Sequence, residues 1–161
     1  MSAFAVGLAR ACFEEALNYA RQRVQGGEPI ARHKNIKLKL YEMFEKIETA
    51  WYYVRKVTEY THRRIIEART ADASPRHAKA AQVYAKKVAF EVAHDAVQIF
   101  GAYGLSKEFI IEKLFRDARC MLIEDGTVEV LSLDVAKDIV SNYEKDYYDV
   151  GHISKLYAGW R

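Results

Sequence analysis

The sequence has few residues that break regular structure. Eight glycines and two prolines are spread over 161 residues, which is about half the usual share. A turn-rich sandwich or barrel needs many more turn residues, so the composition argues against those classes. Apolar residues make up 50% of the chain, which is enough to form the core of one domain. The shortage of turn residues therefore predicts an all-α domain.

Charge of one sign and long apolar runs are also lacking. The 25 Lys and Arg residues are interspersed with 22 Asp and Glu residues, so no basic surface for nucleic acid is expected. No apolar stretch approaches the ~18 residues of a membrane span, and the first residues lack the basic segment of a signal peptide. Cys12 and Cys120 fall in apolar helical patterns, which predicts buried, reduced thiols. We therefore expect a cytoplasmic protein without a membrane span.

Apolar residues at three- and four-residue spacing predict five helices. Glycine, proline and capping residues set their ends. The predicted helices are Ala3–Gln25, Lys34–Thr70, Ser74–Phe100 with Ser74-Pro75 as its cap and first turn, Lys107–Ile123, and Val128–Tyr147 with Thr127 as its cap. Short connections favour antiparallel neighbours. The pattern predicts an up-and-down four-helix bundle with an additional C-terminal helix over residues 1–142, and a tail over residues 143–161.

Two Glu-x-x-His pairs suggest a metal site at first sight. Glu59–His62 and Glu91–His94 lie on the two longest predicted helices, and Glu14 or Glu15 with Glu112 could complete a di-metal carboxylate bundle. At roughly 100° per residue, however, neither pair points both ligands into the bundle. Solvated or interface side chains are the better interpretation, and no metal is expected.

Three segments around loops are harder to explain by packing. Arg23–Ile30 places an arginine in the predicted last turn of a helix, where it could offset the helix dipole or clamp an anion. Gln98–Leu105 ends a helix in small residues that allow close approach of a backbone or a flat ligand. Ile123–Val130 sets the carboxylates of Glu124 and Asp125 beside a glycine turn and a helix start. Each segment alone is also compatible with ordinary helix capping.

Taken in order, these segments resemble the C-terminal domain of the acyl-CoA dehydrogenase family. That family shows R-x-x-F-G-x-P-I, then Q-I-x-G-G-x-G, then R-D-A-R, then Y-E-G-T-x-E. The counterparts here are Arg23–Ile30, Gln98–Gly104, Arg116–Arg119 and Glu124–Glu129, and the resemblance covers about Ala3 to Ile139. It implies a flavoenzyme that removes hydrogen across the α,β bond of an acyl-CoA, with FAD lying across a subunit boundary of a homodimer or tetramer. An electron-transfer flavoprotein is one candidate acceptor.

The resemblance also implies roles for individual residues. Asp125 stands at the position of the catalytic base, and Gly126 at the substrate thioester. The implied cofactor residues are Arg23 and Lys34 for the diphosphate, Gln98, Gly101 and Ala102 for the adenosine side, and Thr127 and Glu129 near the start of the last helix.

Several positions depart from the family pattern. Asp125 replaces a glutamate and is one methylene shorter, which matters because a misplacement of about 1 Å can cost ~100-fold in rate. Nitroalkane oxidases, on the same fold, use an aspartate as base, so such a flavoenzyme is an alternative. Glu124, or a base elsewhere, also remains open. Gly26 replaces a phenylalanine, Lys34 a glutamine and Ala102 a glycine.

The chain is also shorter than the family, whose members are more than twice as long and carry two further domains upstream. We therefore expect the C-terminal portion of a longer enzyme, which alone neither holds FAD tightly nor turns over. A catalytically silent bundle that serves only oligomer assembly is the competing hypothesis. Because Tyr52 and Tyr53 are adjacent on the second helix, one of them must face away from the core and towards a partner.

Overall fold

The computed structural model describes residues 1–62 and 76–150, with side chains as far as residue 142. The described residues form five α-helices, which confirms the predicted all-α bundle with a fifth, C-terminal helix. In chain order the elements are α1 (Ser2–Gln22), β1 (Val24–Gln25), β2 (Glu28–Pro29), α2 (Lys34–His62), α3 (Arg76–Phe100), α4 (Ile111–Met121) and α5 (Val128–Val150). Short 3-10 helices at Ile30–Arg32 and Gly101–Leu105 join them. None of the described helices could cross a bilayer.

Helix α3 lies at the centre of the bundle and packs against α1, α2, α4 and α5. Helices α1 and α3 each bury a run of small side chains, which favours close helix packing. The fully or almost fully buried members are Ala5, Ala9, Cys12, Ala16 and Ala20 on α1, and Ala81, Ala85, Ala89, Ala93 and Ala96 on α3. Helix α3 thereby acts as the frame along which the other elements are placed.

The first helix ends earlier than predicted. It stops at Gln22 instead of Gln25, because Val24–Gln25 pair with Glu28–Pro29 as a two-residue antiparallel ladder. Gly26 and Gly27 form the turn with φ values of +65° and +87°, which glycine adopts at little cost. Two consecutive positive φ angles are typical of a tight hairpin turn. This also explains why a glycine suits position 26.

Two other helix boundaries differ from the prediction. Helix α4 begins at Ile111 instead of Lys107, since the 3-10 turn Gly101–Leu105 is followed by extended backbone at Ser106. It also ends at Met121, two residues early. Helix α5 continues through Val150. The predicted Ser74-Pro75 cap, the end of the second helix at Thr70 and residues 151–161 lie outside the described residues.

One predicted burial was wrong. Cys12 is buried, but Cys120 is exposed on α4, because the buried face of that helix passes through Ala118 and Met121. On α2, Phe44 is half exposed. The buried stripe there is Met43, Ile47, Ala50 and Val54.

Candidate cofactor and active site

The backbone of Arg23 is held on both sides, while its side chain is exposed. Its N–H donates to the carbonyl of Tyr19 at 2.8 Å, and its carbonyl accepts the N–H of Ile30 at 2.8 Å. Arg23 directly follows α1 in an extended conformation, so it is not in the last helical turn as predicted. The guanidinium lies within 3.5 Å of the Gln25 side-chain oxygen. The cation is therefore presented from a fixed point of the backbone.

His33 braces the hairpin that follows Arg23. Its Nε2 donates to the carbonyl oxygen of Gln25 at 3.0 Å, and its Nδ1 lies 3.7 Å from a carboxylate oxygen of Glu28. The ring sits beside Gly26, where an added Cβ would lie 3.5 Å from it. Lys34 comes directly after this histidine and begins α2. The predicted diphosphate residues Arg23 and Lys34 thus flank one braced loop.

Stacked aromatic rings join this loop to the end of α3. Tyr19 stacks on Phe100 with ring centroids 4.1 Å apart, and Phe109 contacts both rings edge-on. Tyr103 packs against Phe109 in turn. The Arg23 guanidinium lies 5.6 Å from the Tyr103 ring centroid. The structure therefore brings Arg23 to the Gly101–Leu105 turn, which we call the Arg23 corner together with Arg23–Pro29.

Two glycines shape this corner in different ways. Gly101 has φ +62° and open space where a side chain would begin. Gly104 is buried, and an added Cβ would lie 2.7 Å from the Val97 carbonyl oxygen. Gln98, Gly101 and Ala102 are exposed. The turn packs tightly on its inner side and leaves an accessible backbone on its outer side.

The second predicted group lies on the loop between α4 and α5, residues 122–127, and in the first turn of α5; we call this loop the Asp125 loop. Asp125 is exposed and has φ +52°, and Gly126 follows with φ +87°. The Thr127 hydroxyl accepts the N–H of Val130 at 3.3 Å and so caps α5. The pKa of Glu129 is lowered, because its carboxylate accepts hydrogen bonds from its own backbone N–H and from the Thr127 hydroxyl. The Asp125 loop and the first turn of α5 therefore form one edge of the bundle, which we call the rim. It carries Asp125, Gly126, Thr127 and Glu129.

A buried lysine beneath this loop was missed by the sequence analysis. Lys86 on α3 has no exposed surface. Its Nζ donates to the carbonyl oxygens of Glu124 at 2.5 Å and of Gly126 at 3.3 Å. A lysine three residues after the buried Val83 and three before Ala89 lies in the apolar stripe of α3. That position was the available signal.

The two groups lie at different levels of the bundle. Lys86, under the Asp125 loop, precedes Gln98 by 12 residues of continuous helix, which corresponds to about 18 Å. The structure thus unites Arg23 with the Gly101 turn, and Asp125 with Thr127 and Glu129, but it does not unite the two groups in one pocket of a single chain.

Two open grooves lie elsewhere, the first lined by α1, α2 and α3 and the second by α1 and α2. Their volumes are about 420 Å³ and 470 Å³, and Val54 and Thr58 line both. None of the predicted cofactor or catalytic residues is among the side chains that line either groove.

The carboxylates of the two Glu-x-x-His pairs are engaged in ion pairs. Glu59 pairs with Arg55 at 3.0 Å, and Glu91 pairs with Lys46 at 2.8 Å. Within residues 1–62 and 76–142, no three His, Cys, Asp or Glu side chains come together as a metal site would require.

Comparison with known proteins gives a consistent result. Residues 1–140 match the family model of the acyl-CoA dehydrogenase C-terminal domain. An acyl-CoA dehydrogenase of Bacillus subtilis (strain 168) is 37% identical over 137 residues, covering 85% of this chain and 34% of that protein. A 3-(aryl)acrylate reductase of Clostridium sporogenes is 34% identical over 140 residues, covering 87% of this chain and 35% of that protein.

Solved structures show the same relationship. The butyryl-CoA dehydrogenase of Megasphaera elsdenii superposes with a TM-score of 0.75 at 33% identity, over 86% of this chain and 34% of that one. This chain thus spans about a third of the length of the relatives it matches. It belongs to the acyl-CoA dehydrogenase family and represents the family's C-terminal helical domain.

Proposed function

We propose that this chain supplies the C-terminal part of an FAD-dependent acyl-CoA dehydrogenase site. The observation that carries the proposal is the position of the Arg23 guanidinium, 5.6 Å from the Tyr103 ring on the Gly101–Leu105 turn. Two motifs that are far apart in the sequence meet there on one exposed surface.

The donor set at the Arg23 corner fits the adenosine diphosphate portion of FAD. An exposed guanidinium can hold two phosphate oxygens at once, and Lys34 adds a second cation at the start of α2. Gly101 leaves open space for close approach of a ligand to the backbone. Gln98 offers an exposed amide beside it, which can both donate and accept hydrogen bonds. Arg23, Lys34, Gln98, Gly101 and Ala102 would hold this portion.

The distance of about 18 Å along α3 supports a site shared between protomers. A flavin reached by Thr127, Glu129 and Asp125 of one chain would meet the Arg23 corner of another. Exposed apolar side chains on α5, including Val130, Leu133 and Val140, and the exposed Tyr52 on α2 suit such an assembly. The proposed partners are a second copy of this chain, the acyl-CoA and an electron-transfer flavoprotein. Two free thiols in the described chain agree with a cytoplasmic location.

In the proposed reaction, the Asp125 carboxylate removes the α-proton of the acyl-CoA thioester. FAD, when bound, supplies the hydride acceptor for the β-hydrogen. Gly126, which follows Asp125 and is exposed, would lie beside the thioester. The Thr127 hydroxyl and the first turn of α5 would orient the cofactor, since a helix N-terminus offers free N–H donors.

The competing function is oligomer assembly without catalysis. The apolar outer face of α5, where Val140 is 87% exposed, favours this hypothesis because it calls for a partner and no chemistry. Both hypotheses predict association, so a monodisperse monomer by light scattering at micromolar concentration would contradict both.

The deciding experiment joins this chain to the upstream part that its relatives carry. Asp125→Asn should lower kcat for acyl-CoA oxidation by about 100-fold or more, with the flavin absorbance retained. Glu124→Gln, the matched control, should leave kcat within a fewfold of the parent. Full activity of Asp125→Asn would remove Asp125 from the chemistry, and an inactive parent that assembles normally would favour the silent bundle.

A second arm tests the cofactor corner. Arg23→Met should reduce FAD retention, because the phosphate partner is lost, while Arg21→Met, an exposed arginine on α1, should not. Equal FAD retention by both variants would contradict the assignment of Arg23. The 161-residue chain by itself is expected to show no flavin absorbance after purification and no turnover.

A further inference from the structure

Lys86 presents a buried ammonium to the backbone of the Asp125 loop. Burying a charged amine is costly unless it is well hydrogen-bonded. Here the ammonium donates to two carbonyl oxygens, Glu124 O at 2.5 Å and Gly126 O at 3.3 Å. These carbonyls stand on either side of Asp125. The ammonium therefore binds the loop on both sides of Asp125, whose side chain is exposed.

Both ends of the loop are anchored by other means. The N–H of Val128 donates to the Leu122 carbonyl at 3.1 Å, and the N–H of Glu124 donates to the Cys120 carbonyl at 3.0 Å. Beneath the loop, Val128 and Leu131 pack against Val83 on α3. These contacts close the loop without determining the orientation of its apex.

The apex needs additional support because its backbone is unusual. Asp125 has φ +52° and Gly126 has φ +87°, and the left-handed region is unfavourable for a residue with a side chain. A cation bonded to the flanking carbonyls stabilises this turn, since hydrogen bonds from charged donors are stronger than neutral ones. Aspartate also has one fewer rotatable bond than glutamate. The position of its carboxylate thus depends closely on where the backbone is held.

We propose that Lys86 is a positioning residue for Asp125. It clamps the two peptide carbonyls around that residue and so sets the direction in which the carboxylate points. The inference rests on the proposed function, because it takes Asp125 as the base. It goes further in assigning a role to a residue outside the matched motifs, one that exchanges no proton with the substrate.

The first test examines the loop itself, in the 161-residue chain, and needs no cofactor. Lys86→Met keeps the length of the side chain and removes its donors. We expect hydrogen exchange of the amides at residues 124–128 to accelerate by about tenfold or more, with α1 and α3 amides unchanged. Lys137→Met, at an exposed lysine on α5, is the matched control and should alter neither. Unchanged exchange at residues 124–128 in Lys86→Met would overturn the proposal.

A measurement on the unsubstituted chain tests the same hydrogen bonds and does not depend on whether a variant folds. A clamped ammonium exchanges its protons slowly, so the Lys86 side-chain ¹⁵N signal should persist at neutral pH, with a scalar coupling to the Glu124 carbonyl carbon. The exposed Lys137 should show no such signal. If the Lys86 ammonium exchanges as fast as that of Lys137, the clamp does not exist.

A double-mutant cycle in the joined enzyme tests whether the effect of Lys86 on kcat depends on Asp125. Lys86→Met should lower kcat by roughly 10- to 100-fold with KM nearly unchanged, since a shift of about 1 Å at the base is enough for that loss. On top of Asp125→Asn, the same change should cost little more. An equal loss with and without Asp125→Asn would show that Lys86 acts independently of Asp125 and would overturn the proposal. Full activity of Asp125→Asn alone would instead overturn the base assignment, whatever the amide exchange shows.

Discussion

The Arg23 corner and the Asp125 loop place exposed functional groups by opposite means. At the Arg23 corner, aromatic rings stack between α1 and α3, and the side chain of Arg23 extends from that support. At the Asp125 loop, a buried charge holds two backbone carbonyls, and the carboxylate follows the backbone. Under the proposed function, the corner would need a cation that can adapt to a flexible phosphate, whereas the loop would need a base at a fixed point. A ligand-holding site and a proton-transfer site therefore call for different supports.

The largest expected effect is a difference in alkylation rate between the two cysteines. Cys12 lies in the core, and Cys120 lies near the Asp125 loop. Burial raises the pKa of Cys12 to about 12, so at pH 8 only about one such thiol in ten thousand is ionised. Cys120 is exposed, two residues before the loop begins. Iodoacetamide should modify one thiol per chain under native conditions and two in denaturant, as measured by mass spectrometry.

The same shift predicts a pH dependence of stability. The unfolded chain ionises the Cys12 thiol near its ordinary value of 9.0, whereas the folded chain keeps it neutral. The stabilisation is therefore complete below pH 9 and is lost as the pH rises towards 12. Cys12→Ala should flatten this alkaline limb of the unfolding curve. Rapid alkylation of Cys12 in the native chain would contradict its burial.

Gly104→Ala should give the next largest effect, and it acts at the Arg23 corner. The new methyl group would meet the Val97 carbonyl oxygen at 2.7 Å and the Val97 Cα at 3.0 Å, both of them backbone atoms that yield only if α3 shifts. We expect a loss of about 2–3 kcal/mol in the free energy of unfolding, measured by urea titration.

Gly101→Ala is the matched control in the same turn. No atom lies within 4 Å of its new methyl group, but the φ of +62° remains unfavourable for alanine. The expected loss is only about 1 kcal/mol. A larger loss at Gly101 than at Gly104 would mean that backbone conformation, not packing, governs this corner.

Helix boundaries were predicted well where the helix-breaking and capping residues allow only one interpretation. The starts of α2 at Lys34 and α5 at Val128, and the end of α3 at Phe100, follow from neighbouring glycines, proline and a capping threonine. The end of α1 was misplaced because a glycine pair can either stop a helix or turn a hairpin. Only the pairing of Val24 with Pro29 decides between these.

The residues of the candidate site likewise fall into those that the sequence can identify and those that it cannot. Exposed residues with a characteristic type and spacing, such as Arg23 and Asp125, could be named from the sequence. The position of Lys86 in an apolar stripe was a signal, but it could not assign a role, because such a lysine has the same pattern whether it extends to solvent or binds a carbonyl. Tyr19 and Phe100 were equally hidden, since an aromatic residue at helical spacing only predicts burial. Residues that support a site can be identified only from the three-dimensional structure, which shows the elements that they join.

The smallest of these effects concerns Thr127, at the start of α5. Thr127→Val removes the hydroxyl that accepts the Val130 N–H and should lower the free energy of unfolding by about 1 kcal/mol. It also removes a donor to Glu129, whose lowered pKa should then rise towards its ordinary value. Because this pKa is depressed in the folded chain, the contribution is present at neutral pH and is lost as the pH falls through it. Thr127→Ser keeps the hydroxyl and is the control, and carboxyl ¹³C shifts of Glu129 follow the titration. If both variants leave that titration unchanged, the Thr127 hydroxyl does not organise this rim, and the position of Glu129 depends on the backbone alone, as that of Asp125 does.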